Sequence, residues 1–199
     1  MASILKYNKA QHTNGTDAMT ISSAGIITPS KPIIATMHMA SAFNNFTEQS
    51  WHRTRWDSSD IDTYGNVANT TNQRFDIPVA GYYEIYAQVY IGVTGEGDSL
   101  RDSAILISQT PSGGSETVVS STHTRHYNGA TDSSDATERT HCIIQCAVND
   151  QIIIRHYANT DTGTAFDVYG KVGEEENSHM YFASVAVPKA THCWLRRVA

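Results

Sequence analysis

The 199-residue sequence contains very little leucine. Leucine occurs at four positions, against 17 isoleucines, 12 valines and 22 threonines. Helix cores favour leucine, whereas strands favour β-branched side chains. The shortage of leucine therefore argues against a helical fold and predicts an all-β protein.

Charge, cysteine and long apolar runs are also scarce. Charged residues make up 17% of the chain and the net charge is −6, which argues against a nucleic-acid binder with a broad basic surface. No apolar run approaches the roughly 20 residues of a membrane span, and Met1–Lys6 is too short and too polar for a secretory leader. Three cysteines are too few for a disulfide scaffold. We expect a soluble protein made in a reducing cytoplasm, with neither nucleic acid nor membrane among its partners.

The sequence does contain strand patterns separated by turns. Residues 1–31 carry only short apolar pieces, which predicts either a flexible tail or an extended arm that orders against a partner. From Pro32 onward, eight to ten short strands predict a sandwich or jelly roll. The clearest strands are predicted at Tyr82–Ile91, Arg101–Gln109, Glu116–His126, Arg139–Val148, Gln151–Tyr157 and Met180–Val187.

The predicted strand Tyr82–Ile91 has two different faces. Side chains alternate along a strand, so an apolar set shares one face; its members are Tyr83, Ile85, Ala87, Val89 and Ile91. The opposite face is aromatic but carries polar tips, and its members are Tyr82, Glu84, Tyr86, Gln88 and Tyr90. Such a face suits a surface covered by another protein better than one in open water.

Four segments carry motifs of a known kind: Asp62–Asn66, Arg74–Ile85, Cys142–Tyr157 (with Asn149 where glycine is usual) and Met180–Val185. They resemble the tumour-necrosis-factor-like and complement-globular-head jelly rolls, and the resemblance covers residues 32–188. It implies a two-sheet antiparallel jelly roll of about ten strands in a domain of residues 32–199. The lysine and arginines after residue 188 predict a basic C-terminal tail for this domain. The resemblance also implies a homotrimer that assembles around a threefold axis through one face of the inner sheet.

The opening of the chain carries a second resemblance. Ala2–Lys6 and Gln11–Ser22 are similar to the opening of virion structural proteins of marine tailed phages, particularly those infecting cyanobacteria. This resemblance implies that residues 1–31 are a virion-attachment arm. The chain would be assembled in the host cytoplasm and carried on the outer surface of the phage particle.

The trimer implied by the fold gives the aromatic strand face a role. We predict that the trimer interface is lined by Tyr82, Tyr86, Tyr90, Ile143 and Gln145. The alternative is that these tyrosines pack under a loop of their own subunit.

The charge distribution predicts a docking region at the chain ends. Residues 32–188 carry a balance of −11, whereas the remaining residues carry +5. Positive ends attracted to an acidic capsid would orient docking; the alternative is a pair of solvated tails. The predicted capsid-docking residues are Ile4, Leu5, Lys6, Lys9, Ile26, Ile27, Trp194, Arg196 and Arg197.

Catalytic and metal chemistry have little support. Cys142 and Cys146 share a strand face about 13 Å apart, beyond disulfide reach, so we expect core residues. His123 and His126 point to opposite faces of a strand. The acidic cluster of Asp57, Asp60 and Asp62 is typical of a solvated turn, with calcium binding as the alternative. No nucleophile, phosphate-loop or zinc motif is present, and we expect no enzyme, no cofactor and no metal.

Together these observations predict a trimeric capsid decoration (cement) protein on the outer head surface. Its partners would be copies of itself and the major capsid protein or another virion protein. The alternative is a receptor- or glycan-binding knob of a short head or tail fibre, which would bind a host-surface glycan. That knob would use Trp51, Trp56 and the Tyr127–Gly129 loop.

Overall fold

The structure, a computed structural model, consists of β-strands joined by turns. It describes residues 9–11, 17–21, 27–29, 32–93, 100–126, 135–161, 163, 165–170 and 191–198. These residues form fifteen strands and no helix, so the predicted all-β class is confirmed. A helix able to cross a membrane is accordingly absent from the described part of the chain.

The strands, in chain order, are β1 Lys9–Gln11, β2 Asp17–Ile21, β3 Ile27–Pro29, β4 Ile34–His38, β5 Phe43–Phe46, β6 His52–Arg53, β7 Ala68–Asn69, β8 Arg74–Asp76, β9 Gly81–Val93, β10 Leu100–Thr110, β11 Thr117–Arg125, β12 Asp135–Cys146, β13 Gln151–Thr160, β14 Phe166–Val168 and β15 His192–Arg197.

Two six-stranded antiparallel sheets form the jelly roll. In the first sheet, β9 pairs with β12 along one edge and with β15 and then β14 along the other. β4 lies outside β15, and β5 lies outside β14. The second sheet has the order β11-β10-β13-β8-β7, with β6 also paired to β13. The predicted two-sheet antiparallel jelly roll is therefore confirmed.

The core lies between these two sheets. The five side chains predicted to face inward from Tyr82–Ile91 are all fully buried in β9. Opposite them lie buried side chains of the second sheet, among them Phe75, Ile105 and Ile154. Burial of each large apolar side chain contributes on the order of 1.5–3 kcal/mol to folding, so the alternating pattern of β9 fixes which face is covered.

The turn after β12 also follows its sequence prediction. Asn149 has φ 68°, a left-handed conformation that asparagine tolerates better than most residues. The neighbouring Asp150 is buried, and its Oδ2 accepts hydrogen bonds from Ala147 N at 2.8 Å and Gln109 Nε2 at 2.7 Å. The turn is thus held by side-chain bonds and directs the chain from the first sheet into the second.

The two chain ends differ from the sequence prediction. Residues 192–197, expected in a basic tail, form β15 between β4 and β9. They do so because Cys193 and Leu195 alternate with polar residues and enter the core. In the N-terminal segment, β1, β2 and β3 pair antiparallel in a three-stranded sheet of their own. The predicted strand Met180–Val187 lies outside the described residues.

An ion pair on the second sheet gives the fold a pH dependence. Arg155 donates two hydrogen bonds to Glu116, from Nε to Oε1 at 2.9 Å and from Nη2 to Oε2 at 2.7 Å. The hydroxyl of Ser108 donates a third bond to Oε1 at 2.6 Å. Chiefly because of the Arg155 bonds, the pKa of Glu116 falls from 4.5 to about 2.

We expect the substitution Glu116→Gln to flatten the acid stability profile. Because the folded-state pKa of Glu116 is lowered, its contribution to stability is complete above about pH 4.5 and is lost as pH falls through about 2. The melting temperature of the wild type should therefore exceed that of the variant at pH 6, and the two should converge near pH 2. Equal differences in melting temperature at both pH values would contradict this assignment.

Candidate functional site

The outer side of the first sheet carries a connected polar and aromatic surface. Residues directly opposite one another in a sheet share a face, and the register aligns β12, β9 and β15 in rows across it. The members of this surface, which we call the aromatic face, are Tyr82, Glu84, Tyr86, His141, Ile143, Gln145, His192, Trp194 and Arg196.

Aromatic rings occupy the middle of this face. The Tyr86 ring lies nearly parallel to that of Trp194, with centroids 5.8 Å apart and 14° between the planes. His192 and His141 flank the pair, with His192 5.6 Å from Tyr86 and His141 6.4 Å from Trp194. The four rings come from three adjacent strands, so the rigid sheet fixes their relative positions.

The charges of the aromatic face are paired within it. Glu84 contacts His141 Nε2 at 3.0 Å and accepts a hydrogen bond from Arg196 Nε. The Arg196 guanidinium also lies over the Trp194 ring, 5.7 Å from its centroid. The bond from Arg196, followed by that from His141, lowers the pKa of Glu84. Covering the centre of this face would therefore leave neither Glu84 nor Arg196 as an isolated buried charge, which is the costly case.

Two large apolar side chains on this face remain open. Tyr82 is 48% exposed and Ile143 is 58% exposed. Ile143 lies directly opposite Glu84, and Gln145 lies opposite Tyr82. Contiguous apolar and aromatic surface of this kind marks an interaction site more often than scattered single residues do. Four of the five predicted interface residues are thus brought together here.

The fifth predicted interface residue, Tyr90, is placed differently. Its ring packs against Tyr169 with centroids 5.6 Å apart, and only 3% of the residue is exposed. Tyr90 is therefore removed from the candidate interface, because it is already covered within its own chain and offers no surface to a partner. For this one tyrosine, the alternative of packing under its own subunit is correct.

The five predicted docking residues that the structure describes lie in β15 and in the N-terminal three-stranded sheet. Trp194 and Arg196 belong to the aromatic face, and Arg197 is the last residue of β15. Lys9 lies in β1 and Ile27 in β3. Ile4, Leu5, Lys6 and Ile26 lie outside the described residues. In the sequence, His192, Trp194 and Arg196 alternate with the apolar Cys193 and Leu195. This period of two is the signal that could have predicted the strand.

Asp57 and Asp62 of the predicted acidic cluster accept hydrogen bonds from backbone N–H groups of the same chain. Asp62 accepts four backbone N–H bonds, from Tyr64, Gly65, Val67 and Ala68, at 2.7–3.1 Å. Asp57 accepts bonds from Ala40 N and Ser41 N. Within the described residues, no group of three or more His, Cys, Asp or Glu side chains is placed to hold a metal ion.

The three cysteines are free thiols that pack in or against the core. Burial raises the pKa of Cys142 to about 11 and that of Cys146 to about 12, and it also raises the pKa of Cys193. All three are therefore protonated near neutral pH and poor nucleophiles.

The two tryptophans of the predicted glycan knob are in different environments. Trp56 is fully buried in the core, so its assignment to an exposed sugar site is wrong. Trp51 is 44% exposed and lies against Tyr157 on the second sheet. The third element of that knob, Tyr127–Gly129, lies outside the described residues.

Comparison with known proteins identifies the fold. No protein-family model matches the chain, and no curated protein matches its sequence. Among solved structures, the Eiger TNF of S. frugiperda matches with a TM-score of 0.58 at 12% identity, over 85% of this chain and 94% of that one. Murine APRIL at pH 5.0 has a TM-score of 0.49 at 10% identity, over 84% of this chain and 100% of that one. The likeness to Eiger confirms the predicted TNF-like jelly roll.

Proposed function

We propose that this chain is a virion structural protein, a homotrimer that decorates the outer surface of a phage head. The observation that carries the proposal is the aromatic face, where exposed Tyr82 and Ile143 adjoin a preformed stack of rings. Covering it with a second copy removes apolar area from water, and the internal pairing of Glu84 limits the cost.

Threefold assembly is supported by the type of jelly roll, whose members resemble one another in forming trimers. A head-to-tail contact between identical chains closes into a ring when its rotation fits, and three copies match the local threefold positions of an icosahedral shell. Interface area added across neighbouring capsomers would then resist the pressure of packaged DNA.

Attachment to the virion is assigned to residues 1–31. Their resemblance to marine tailed-phage virion proteins supports this role. The lysines Lys6, Lys9 and Lys31 give the segment a positive charge opposite to that of residues 32–188, which favours association with an acidic capsid surface. Because Arg196 is already paired with Glu84, it is not needed in this docking set.

Copy number on purified particles tests the proposal. We expect peptide mass spectrometry to find on the order of hundreds of copies per particle, in multiples of three, as shell decoration requires. A few dozen copies or fewer would instead indicate a fibre component. Absence from particles whose other virion proteins are detected would contradict both roles.

A further inference from the structure

Two aromatic rings lie together on the outer side of the second sheet, away from the aromatic face. Trp51 directly precedes β6, and its ring centroid lies 5.4 Å from that of Tyr157 on β13, with 41° between the planes. Trp51 is 44% exposed to solvent. Two tilted rings present a bent apolar surface larger than either ring alone. We call Trp51 and Tyr157 the platform.

The segment that carries Trp51 is fixed on β13 at both ends. Before Trp51, Gln49 N donates to Ala158 O at 2.9 Å, and Glu48 Oε2 accepts bonds from Thr160 N at 3.1 Å and Thr160 Oγ1 at 3.0 Å. After Trp51, β6 pairs with β13. The platform is therefore built before any ligand arrives, which reduces the entropy lost on binding.

A row of planar polar side chains borders the platform. Asn159 follows Tyr157 by two positions and so shares its face of β13. Three contacts join the row: Gln49 Nε2 to Asn159 Oδ1 at 3.2 Å, Asn159 Nδ2 to Asp102 Oδ2 at 3.3 Å, and His123 Nε2 to Asp102 Oδ1 at 3.3 Å. A carboxylate oxygen has two lone pairs and an amide nitrogen two hydrogens. Gln49 Nε2 uses its second hydrogen on Glu48 Oε1 at 3.2 Å, so the hydrogen-bonding capacity left for a ligand lies on Asn159 Nδ2 and on the remaining lone pairs of Asp102.

Charges of both signs surround the platform, which does not favour a charged ligand. Besides burial, the nearby carboxylates of Asp102 and Glu48 raise the pKa of Tyr157. Arginines lie beside these carboxylates: Arg125 is directly opposite Asp102, and Arg155 is two positions from Tyr157 on the same face of β13. The charges of the two signs offset one another, so neither an anion nor a cation gains a net attraction. A purely apolar partner is also unsuitable, because it would bury the polar row without supplying hydrogen bonds. The matching ligand is neutral, has one apolar face and carries hydroxyls at its rim.

We propose that Trp51 and Tyr157, together with the row of Gln49, Asn159, Asp102 and His123, bind a neutral pyranose unit of a surface saccharide. The C–H face of the sugar would pack on the platform, and its hydroxyls would bond to the Asn159 amide and the Asp102 carboxylate. The site lies within one chain and opposite the aromatic face. It gives the protein an adhesive activity that does not depend on trimer formation.

Saturation-transfer NMR with monovalent sugars tests this site. The probes are methyl β-glucopyranoside, methyl β-galactopyranoside and methyl N-acetyl-β-glucosaminide, with sialyllactose as the anionic comparison. We expect signal from at least one neutral glycoside, with a dissociation constant on the order of 1 mM. Trp51→Ala should weaken binding about tenfold or more, whereas Trp51→Phe, which keeps a ring, should retain measurable binding.

A variant of the opposite sheet provides the matched control. Ile143→Lys alters only the aromatic face, so binding per chain should equal that of the wild type even if the assembly dissociates. Failure of the saccharide site is thereby separated from failure of the trimer. Three results would each overturn the proposal. The first is that none of the three neutral glycosides gives a signal at about 10 mM, roughly ten times the expected dissociation constant. The others are an unchanged signal in Trp51→Ala and a response to sialyllactose alone.

Discussion

The substitution Ile143→Lys is expected to convert the proposed trimer into folded monomers. Ile143 is 58% exposed in the single chain, so the lysine costs the isolated fold little. At a subunit interface, the lysine would instead bury an additional cation beside Glu84, which Arg196 already pairs. An excess buried charge of this kind costs about 3–5 kcal/mol per contact. At about 1.4 kcal/mol for each factor of ten, this weakens each contact by at least a hundredfold.

Sedimentation velocity measures this change directly, and Val148→Lys is its matched control. Val148 is a similarly exposed aliphatic residue, but it lies in the turn between β12 and β13. We expect the control to sediment like the wild type and Ile143→Lys to sediment as a single chain. Circular dichroism should show strand content in both variants. If both variants sediment like the wild type, the aromatic face is not the interface.

The substitution Trp56→Ala is expected to be the most destabilising change to the fold. Trp56 is completely buried among core side chains, and truncating a buried tryptophan leaves a cavity that costs about 3–5 kcal/mol. For a protein of ordinary stability, this is a large fraction of the total free energy of unfolding. Urea unfolding at one fixed protein concentration measures the loss without changing the contribution of self-association.

Trp51→Ala is the control for that experiment, since it removes the same side chain from the surface. Trp51 contacts Tyr157 but is 44% exposed, so we expect it to cost no more than about 1 kcal/mol. Equal losses in the two variants would mean that Trp56 is not a core residue.

The sequence predicted those parts of the molecule that depend on local alternation. The core face of β9 follows from the period of two in its own residues, and the turn at Asn149 follows from residue preferences. The fate of Tyr90 does not follow in this way, because Tyr169, which covers it, comes from a distant part of the chain. Nor could local pattern distinguish buried Trp56 from exposed Trp51, because both lie in the same aromatic and polar stretch.

The misassignment of β15 has a different cause. The sequence predicts a strand at Met180–Val187, which contains a motif of the jelly-roll resemblance, and a basic tail beyond it. Yet His192, Trp194 and Arg196 alternate with Cys193 and Leu195, which enter the core. Period-two alternation at the chain end therefore predicts a further strand there, with Trp194 on the same face as His192 and Arg196.

Sedimentation equilibrium of the wild-type chain over a series of concentrations is the most direct test of the account. If the aromatic face joins three copies, the fitted mass will be three times that of one chain and will stay constant down to low micromolar concentration. A mass equal to a single chain at the highest concentration reached would contradict threefold assembly, and with it the role proposed for the protein.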